Sequence, residues 1–326
     1  MAILTELYIA TRTRNVGDAE TDNPPVIVLR RAGNVVTSRQ LFSSYLADRG
    51  GGAVFRFDIG DEQIDSADLD VELWASGDDA WSPEHVIVWG IAGEVRSETV
   101  IPLAAFLDLA DPMTADDRGV WVSGDSDEGD RMLFIPRVGR GSDGTRARRV
   151  IVVTATTAYG AMFTAGGPGG PLEDSGTVGP LTLQAGAAGK LMLDYTLPAT
   201  PQSDQESGGG GFYVVDLAAP FSRADLQGGA FTLTIQTEDW WVPGYFAVFG
   251  ADTPKFGPNA LIPFVAASAF DLKQMSSDPD EGWHSIVLPT ARVLPERRFP
   301  PGGEVGEDHG GVLEAAPPGS GGGPIL

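Results

Sequence analysis

The tightest constraint on this chain is that it writes one pattern twice. Residues 78–90 read DDAWSPEHVIVWG and residues 238–250 read EDWWVPGYFAVFG. Each has an acidic residue before a tryptophan, then a proline, then an apolar run ending on glycine. Asp79 and Asp239 stand at the same interval as Gly90 and Gly250. Other landmarks follow in the same order. GGAVFRFDI (51–59) is answered by GGFYVVDL (210–217), ADLDVELW (67–74) by ADLQGGAFTLTI (224–235), and VIPLAAF (100–106) by LIPFVAA (261–267). SGDSDEG (123–129) is answered by SSDPDEG (276–282), and each leads into a short run ending at Pro136 or Pro289. A shared order of landmarks points to a tandem duplication, and a duplicated chain must fold as two similar bodies.

The division expected is one copy at residues 1–138, an Arg/Gly-rich linker at 139–147, a second copy at 148–292 and an extended tail at 293–326. The linker region RVGRGSDGTRARR is the one basic island. The tail's Pro/Gly-rich composition gives it little with which to build a core. A chain of 326 residues is long enough for two cores of ordinary size.

Within each copy the periodicity is that of strands. AVFRFDI alternates apolar and polar residues, as suits a sheet with one wet face, whereas HVIVWG and YFAVFG are nearly continuous apolar runs, more like central sandwich strands. VIVLRRAGNVVTSRQL predicts a hairpin turning at Ala32, Gly33 and Asn34, and PLTLQAGAAGKLMLDYTL predicts its counterpart around residues 185–189. The 43 glycines and 24 prolines fall between short apolar runs. The expectation is therefore all-β: two tandem antiparallel sandwiches of about eight strands each, jelly-roll-like. Short helices are expected at PLAAFLDLA and PFVAASAFDLKQM, each opened by a proline at its first position.

Charge narrows the partners. At a net −23 and a pI near 4.3 the surface repels phosphates and anionic lipid heads, which sets nucleic acid aside. Of the basic residues only Lys190, Lys255 and Lys273 are lysines, the arginine bias of a GC-rich, bacterial genome. The chain has no cysteine, so disulfides, thiolate metal sites and cysteine nucleophiles are excluded. The start, MAILTELYIATRTR, does not read as a signal peptide, and no apolar stretch nears the ~20 residues of a membrane helix. The expectation is a cytoplasmic protein, or one exported without a recognisable signal peptide.

The opening ELYIATRTRNVGDAETDNPPVIVL resembles the start of a PLAT/LH2 domain, in which a first strand runs into a Gly-Asp turn, a Gly-Thr-Asp-like step and a second strand. Gly17, Asp18, Thr21 and Asp22 match, with Glu20 where that family usually has glycine. The later strand followed by an acidic pair and Trp81 fits the same pattern, and the resemblance covers residues 5–92. The second copy departs further, keeping Asp174, Gly176 and Thr177 but placing Val178 where Asp22 would be. The resemblance implies a binding module of eight-stranded sandwich fold that docks to membranes or proteins, with calcium in some members.

Calcium asks for several carboxylate and carbonyl oxygens on turns that wrap around it. If the loops at 18–22 and 78–79 meet, Asp18, Asp22, Asp78 and Asp79 converge with a backbone oxygen from Thr21, the positions at which the family places its ligands. The competing reading is that Asp and Gly populate turns because they satisfy local backbone groups. The twin acidic loops at Asp125, Asp127, Glu128 and at Asp278, Asp280, Glu281 lack EF-hand spacing and are expected to be repeated caps or turns. Trp81, Trp240 and Trp241 lie beside carboxylates, suited to stacking on a sugar, inserting into a membrane or plugging the sandwich ends; the plug is preferred. Trp74 and Trp89 are expected in the core.

Catalysis has little to stand on. His85, His284 and His309 are not duplicated, Tyr245 occupying the place of His85, and no nucleophile elbow, zinc-binding helix or phosphate loop is written. The expected function is non-enzymatic binding or assembly, through a protein partner or self-association into an oligomer. The alternatives are a calcium-dependent module for lipid or glycan and a hydrolase using paired carboxylates.

Overall fold

A computed structural model describes residues 2–41, 49–93, 99–107, 120–156, 177, 179–198, 209–253, 257–268 and 272–293. The expected tail lies outside them apart from Val293. Seventeen strands are formed among these residues. The first eight are β1 Leu4–Thr13, β2 Val26–Arg31, β3 Asn34–Gln40, β4 Gly52–Asp58, β5 Asp70–Trp74, β6 Pro83–Ala92, β7 Thr99–Phe106 and β8 Met132–Ile135. A two-residue strand, β9 Gly139–Arg140, follows. The rest are β10 Ala147–Thr156, β11 Leu181–Ala187, β12 Lys190–Leu197, β13 Gly210–Phe221, β14 Ala230–Ile235, β15 Pro243–Ala251, β16 Ala260–Ser268 and β17 Ser285–Leu288. Helix among these residues amounts to two 3₁₀ turns, Gly60–Glu62 and Ala224–Leu226.

The strands form three sheets. Two are four-stranded, ordered β3-β2-β5-β8 and β12-β11-β14-β17. The third is nine-stranded, β7-β6-β1-β4-β13-β10-β15-β16-β9. Strands β10 to β17 take the places in the second half that β1 to β8 take in the first. Apart from β9, which pairs with the outer edge of β16, the long sheet is two four-stranded halves joined edge to edge at β4 and β13, where Gly52 pairs with Gly210. A Cβ on Gly52 would lie 2.5 Å from the Gly210 carbonyl oxygen, so this joint has room only for glycine.

Period-2 alternation then sorts the side chains into three cores. Leu7 and Ile9 of β1 meet Ile27, Leu29, Val71 and Leu73 of the first outer sheet. Val150 and Val152 of β10 meet Leu181, Leu183, Leu233 and Ile235 of the second. The intervening residues Tyr8, Ala10, Ile87 and Trp89 pack against Ile151, Val153, Tyr245 and Phe249 from the other half. The two halves of the long sheet therefore fold over each other face to face. The product is four layers with three apolar seams, which explains why β6 and β15 are apolar on both faces.

The hairpin turns occur where expected. Ala32 (φ 49°) and Gly33 (φ 81°), and Ala188 (φ 50°) and Gly189 (φ 76°), all take left-handed backbone. Two positive-φ residues in a two-residue loop match the strands' twist.

The expected helices at PLAAFLDLA and PFVAASAFDLKQM are not formed among the described residues; both prolines lie inside strands, β7 and β16. Pro102 faces Trp89 at a register shift between Val88 and Trp89, and Pro263 faces Phe249 at the equivalent shift. A bulge is where a sheet tolerates a residue without an N–H. The linker expected at 139–147 is also built into the fold. Ala105 donates to the Pro136 carbonyl and Val138 to Leu103, after which Gly139 and Gly141 donate to Asn259 and Leu261. The chain thus crosses from β7 of the first half to β16 of the second. The segment after β17 crosses in the other direction: Ala291 donates to Phe264, and Val100 of β7 donates to Arg292.

Candidate functional site

The loops predicted to hold calcium do meet at one end of the first sandwich. Thr21, 4% exposed, donates its hydroxyl to the Asp79 carbonyl (3.2 Å) and accepts from the Asn23 amide (3.0 Å). The Asp79 carboxylate accepts the Asp22 amide at 2.6 Å. Asp18 sits at φ 60°, the left-handed position of its turn, and Asp18, Asp22 and Asp78 are exposed. Asp22 and Asp79 are brought together, but as loop closure. Among the described residues no three acidic or histidine side chains gather in a geometry that would hold a metal ion.

The twin acidic loops are the same hydrogen-bonded knot. Ser123 donates to the Asp78 carbonyl at 2.8 Å and accepts the Asp125 amide, while Asp125 accepts the Asp127 amide at 2.9 Å. Ser276 donates to the Glu238 carbonyl at 2.8 Å and accepts the Asp278 amide, while Asp278 accepts the Asp280 amide at 2.9 Å. These carboxylates cap their own loops, the turn reading of the sequence.

Each knot braces a tryptophan. Trp81 and Val122 exchange backbone hydrogen bonds, as do Trp241 and Met275. Both indoles are buried, 1% and 0% exposed, and donate to Thr13 (2.9 Å) and Thr156 (2.8 Å) at equivalent strand ends. They plug the sandwiches, whereas Trp240 is half-buried. Trp89 is in the core, but Trp74 is not: it lies half-buried on the outer face of β5, its indole donating to Glu72 at 2.7 Å.

The seam between the inner sheets carries polar groups at one end. Arg12 lies 3.3 Å from Glu84 and donates across the seam to the Phe212 carbonyl at 2.9 Å. His85, 5% exposed, stacks on Phe212 with ring centroids 5.1 Å apart. Burial foremost, then the charges of Arg12 and Arg149, push its pKa down to about 3. The imidazole is neutral at pH 7 and serves as a packing face. Tyr245, its counterpart, stacks on Tyr8 (4.7 Å) and accepts from Trp89 (3.2 Å).

A cavity of about 300 Å³ lies beside Asp143, Arg223, Phe231 and Phe264. Sequence reasoning passed over Arg223. Its guanidinium bonds the carbonyls of Pro263 and Ala291 and lies 3.2 Å from Asp143, pinning the second crossing segment. No motif marks it; only the fold brings these carbonyls together.

The outer sheet faces differ. On the first, Val26, Val28, Trp74, Met132 and Phe134 occupy outward positions around the Arg30–Glu72 ion pair (2.8 Å), with Met132 36% and Phe134 48% exposed. On the second, the outward positions include Thr182, Gln184, Thr232, Thr234 and Ser285, with Val287 (69% exposed) and Leu191 of β12 (56%) the apolar exceptions.

No protein-family model matches this chain, and no curated protein does. Among solved structures, alpha toxin from Clostridium absonum is 18% identical at TM-score 0.28, over 41% of this chain and 31% of that one. The chain thus covers about a third of the toxin's length. The C2A- and C2B-domains of extended-synaptotagmin 2 are 8% identical at TM-score 0.15, covering 90% of this chain and 94% of that one. Their calcium-bound form is 7% identical at 0.14. At such scores these likenesses carry no argument about function.

Proposed function

We propose that the protein is a non-enzymatic binding module, a rigid body that presents sheet faces to a protein partner, and that its halves descend from one duplicated sandwich. The observation that carries this reading is the first outer sheet, which leaves Trp74, Met132 and Phe134 at the surface where a solvated face carries polar residues. The resemblance of residues 5–92 to PLAT/LH2 domains supports the same class. Photo-crosslinking tests it: benzoylphenylalanine at position 134, in the cells that make the protein, should trap a protein adduct. No adduct from position 134 or position 74 would overturn the proposal.

A second reading, calcium at the end loops with lipid or glycan recognition through it, draws on the contact between Asp22 and Asp79. Calorimetry should then show saturable calcium uptake that Asp22→Ala with Asp79→Ala abolishes. No heat at millimolar calcium removes this reading.

A further inference from the structure

The second half of the chain is an internal control for the first. Both outer sheets have the same strand order and both turn one face outward, so the fold makes the same demands on each. Aligning the ladders sets Val26 against Thr182, Val28 against Gln184, Trp74 against Thr234, Glu72 against Thr232, Met132 against Ser285 and Phe134 against Val287. The second half meets five of these six positions with polar side chains, several paired in the ordinary manner of a wet sheet. Thr234 and Ser285 lie 3.2 Å apart and Gln184 bonds Asp194 at 3.1 Å. The first half meets five of the six with apolar ones. The apolar face is therefore not imposed by the architecture, and a covering surface accounts for it.

The face centres on an edge strand. No strand pairs with the far side of β8 among the described residues. The Ala75 amide donates to the Arg131 carbonyl, so alternate residues Met132 and Phe134 direct their backbone groups toward the free edge. Charge selects the partner. An acidic run, Asp125, Asp127, Glu128 and Asp130, all exposed, precedes β8, and Arg137 and Arg140 follow it. Arg131 moderates the first end and Asp70, paired to Arg137 at 2.7 Å, the second. Asp68, 3.6 Å from Arg137, makes the second end about neutral, so antiparallel pairing sets each acidic end beside the arginine-bearing, uncharged end of the other copy rather than beside a second acidic end. Among the described residues the ion pairs at this face, Arg30–Glu72 and Arg137–Asp70, are each internally neutral, so two copies of a strongly acidic chain meet there with little net charge facing the apolar side chains.

We infer that the occupant is a second copy of this chain, paired through β8 about a twofold axis. Of the registers that keep apolar residues on one face, the one that pairs Met132 with Phe134 of the other copy sets Leu133 opposite its own counterpart. It also brings Gly129 and Asp130, at the end of the acidic loop, beside Pro136 and Arg137. The outer sheets merge into one of eight strands, as the inner ones already join at β4 and β13. This inference rests on the binding-module reading and names its partner.

Sedimentation velocity of the full chain from low to high micromolar concentration should show a monomer–dimer equilibrium. Met132→Ser with Phe134→Thr should shift it to monomer, while Val287→Ser on the second sheet leaves it unchanged. Because the chain has no cysteine, Leu133→Cys supplies a single thiol, and non-hydrogen-bonded antiparallel neighbours lie within disulfide reach. Mild oxidation should convert that variant to a covalent dimer, and the equivalent Ile286→Cys should not. A wild-type chain that stays monomeric, with no Leu133→Cys dimer, overturns self-association. A cellular adduct at position 134 with a different protein would then leave the binding-module reading standing.

Discussion

Gly52→Ala puts one methyl group where the two halves touch. The new Cβ would lie 2.5 Å from the Gly210 oxygen, 3.1 Å from the Phe212 nitrogen and 3.2 Å from the Gly210 carbon, all inside the 3.4 Å at which ordinary contact begins. Each of these atoms is backbone in a paired strand, so none can rotate aside. Overpacking of this kind costs about 1–3 kcal/mol. Against it stands the gain of about 0.4–1 kcal/mol from a stiffer unfolded chain. The net is a loss centred on about 1.3 kcal/mol and reaching about 2.6, or a fall in Tm of about 2–4 °C for a unit of this size. Gly210→Ala should cost less, since its Cβ would come no nearer than 3.1 Å to any atom, and Gly17→Ala, with nothing within 4 Å, should be neutral or slightly stabilising. Differential scanning calorimetry of the three variants reads the order directly. If Gly52→Ala melts at or above the wild type, the close joint between β4 and β13 does not exist in solution.

Three further outcomes are expected. Thr13→Val, which leaves the buried Trp81 indole N–H without its acceptor, should cost about 1–3 kcal/mol in urea denaturation, with Thr13→Ser largely retaining stability. His85 has a folded pKa of about 3 against 6.5 when unfolded, so between these values the unfolded chain takes up a proton that the folded chain refuses. Stability should therefore fall as pH drops from 6.5, by up to about 1.4 kcal/mol per pH unit from this group, and His85→Phe should flatten the slope measured between pH 5 and 7. Lys273 lies 3.7 Å from the Trp283 ring centroid, an exposed cation–π pair; Lys273→Ala should cost no more than about 1 kcal/mol while changing the tryptophan emission.

What could be read from the residues alone depended on how local the cause was. Turns were legible because Ala32-Gly33 and Ala188-Gly189 carry their own conformational reason. The alternation of β4 and the doubly apolar runs of β6 and β15 gave the sandwich class. Pro102 and Pro263 misled, because a proline that opens a helix and one that sits at a strand bulge look alike until the partner strand is known. Trp74 misled because its neighbours Val71 and Leu73 point inward while it points out. Of the calcium candidates Thr21, Asp22 and Asp79 are in contact, and there the Asp79 carboxylate is engaged by the Asp22 amide, a bond that joins residues on two separate loops. Arg223 and the crossing segments had no sequence signal, since apart from Asp143 their partners are carbonyl oxygens, which every residue carries.

The reciprocal crossings have a practical meaning for anyone who would cut this molecule in two. Severed between Gly141 and Ala147, neither piece could stand by itself in water. The front fragment would bare Tyr8 and Trp89 and lose the return stretch that edges β7, while the rear one would bare Tyr245 and Phe249 without its lining along β16. Made together, the same two pieces should find each other and rebuild the whole, so the natural use of such a cut is as a split reporter.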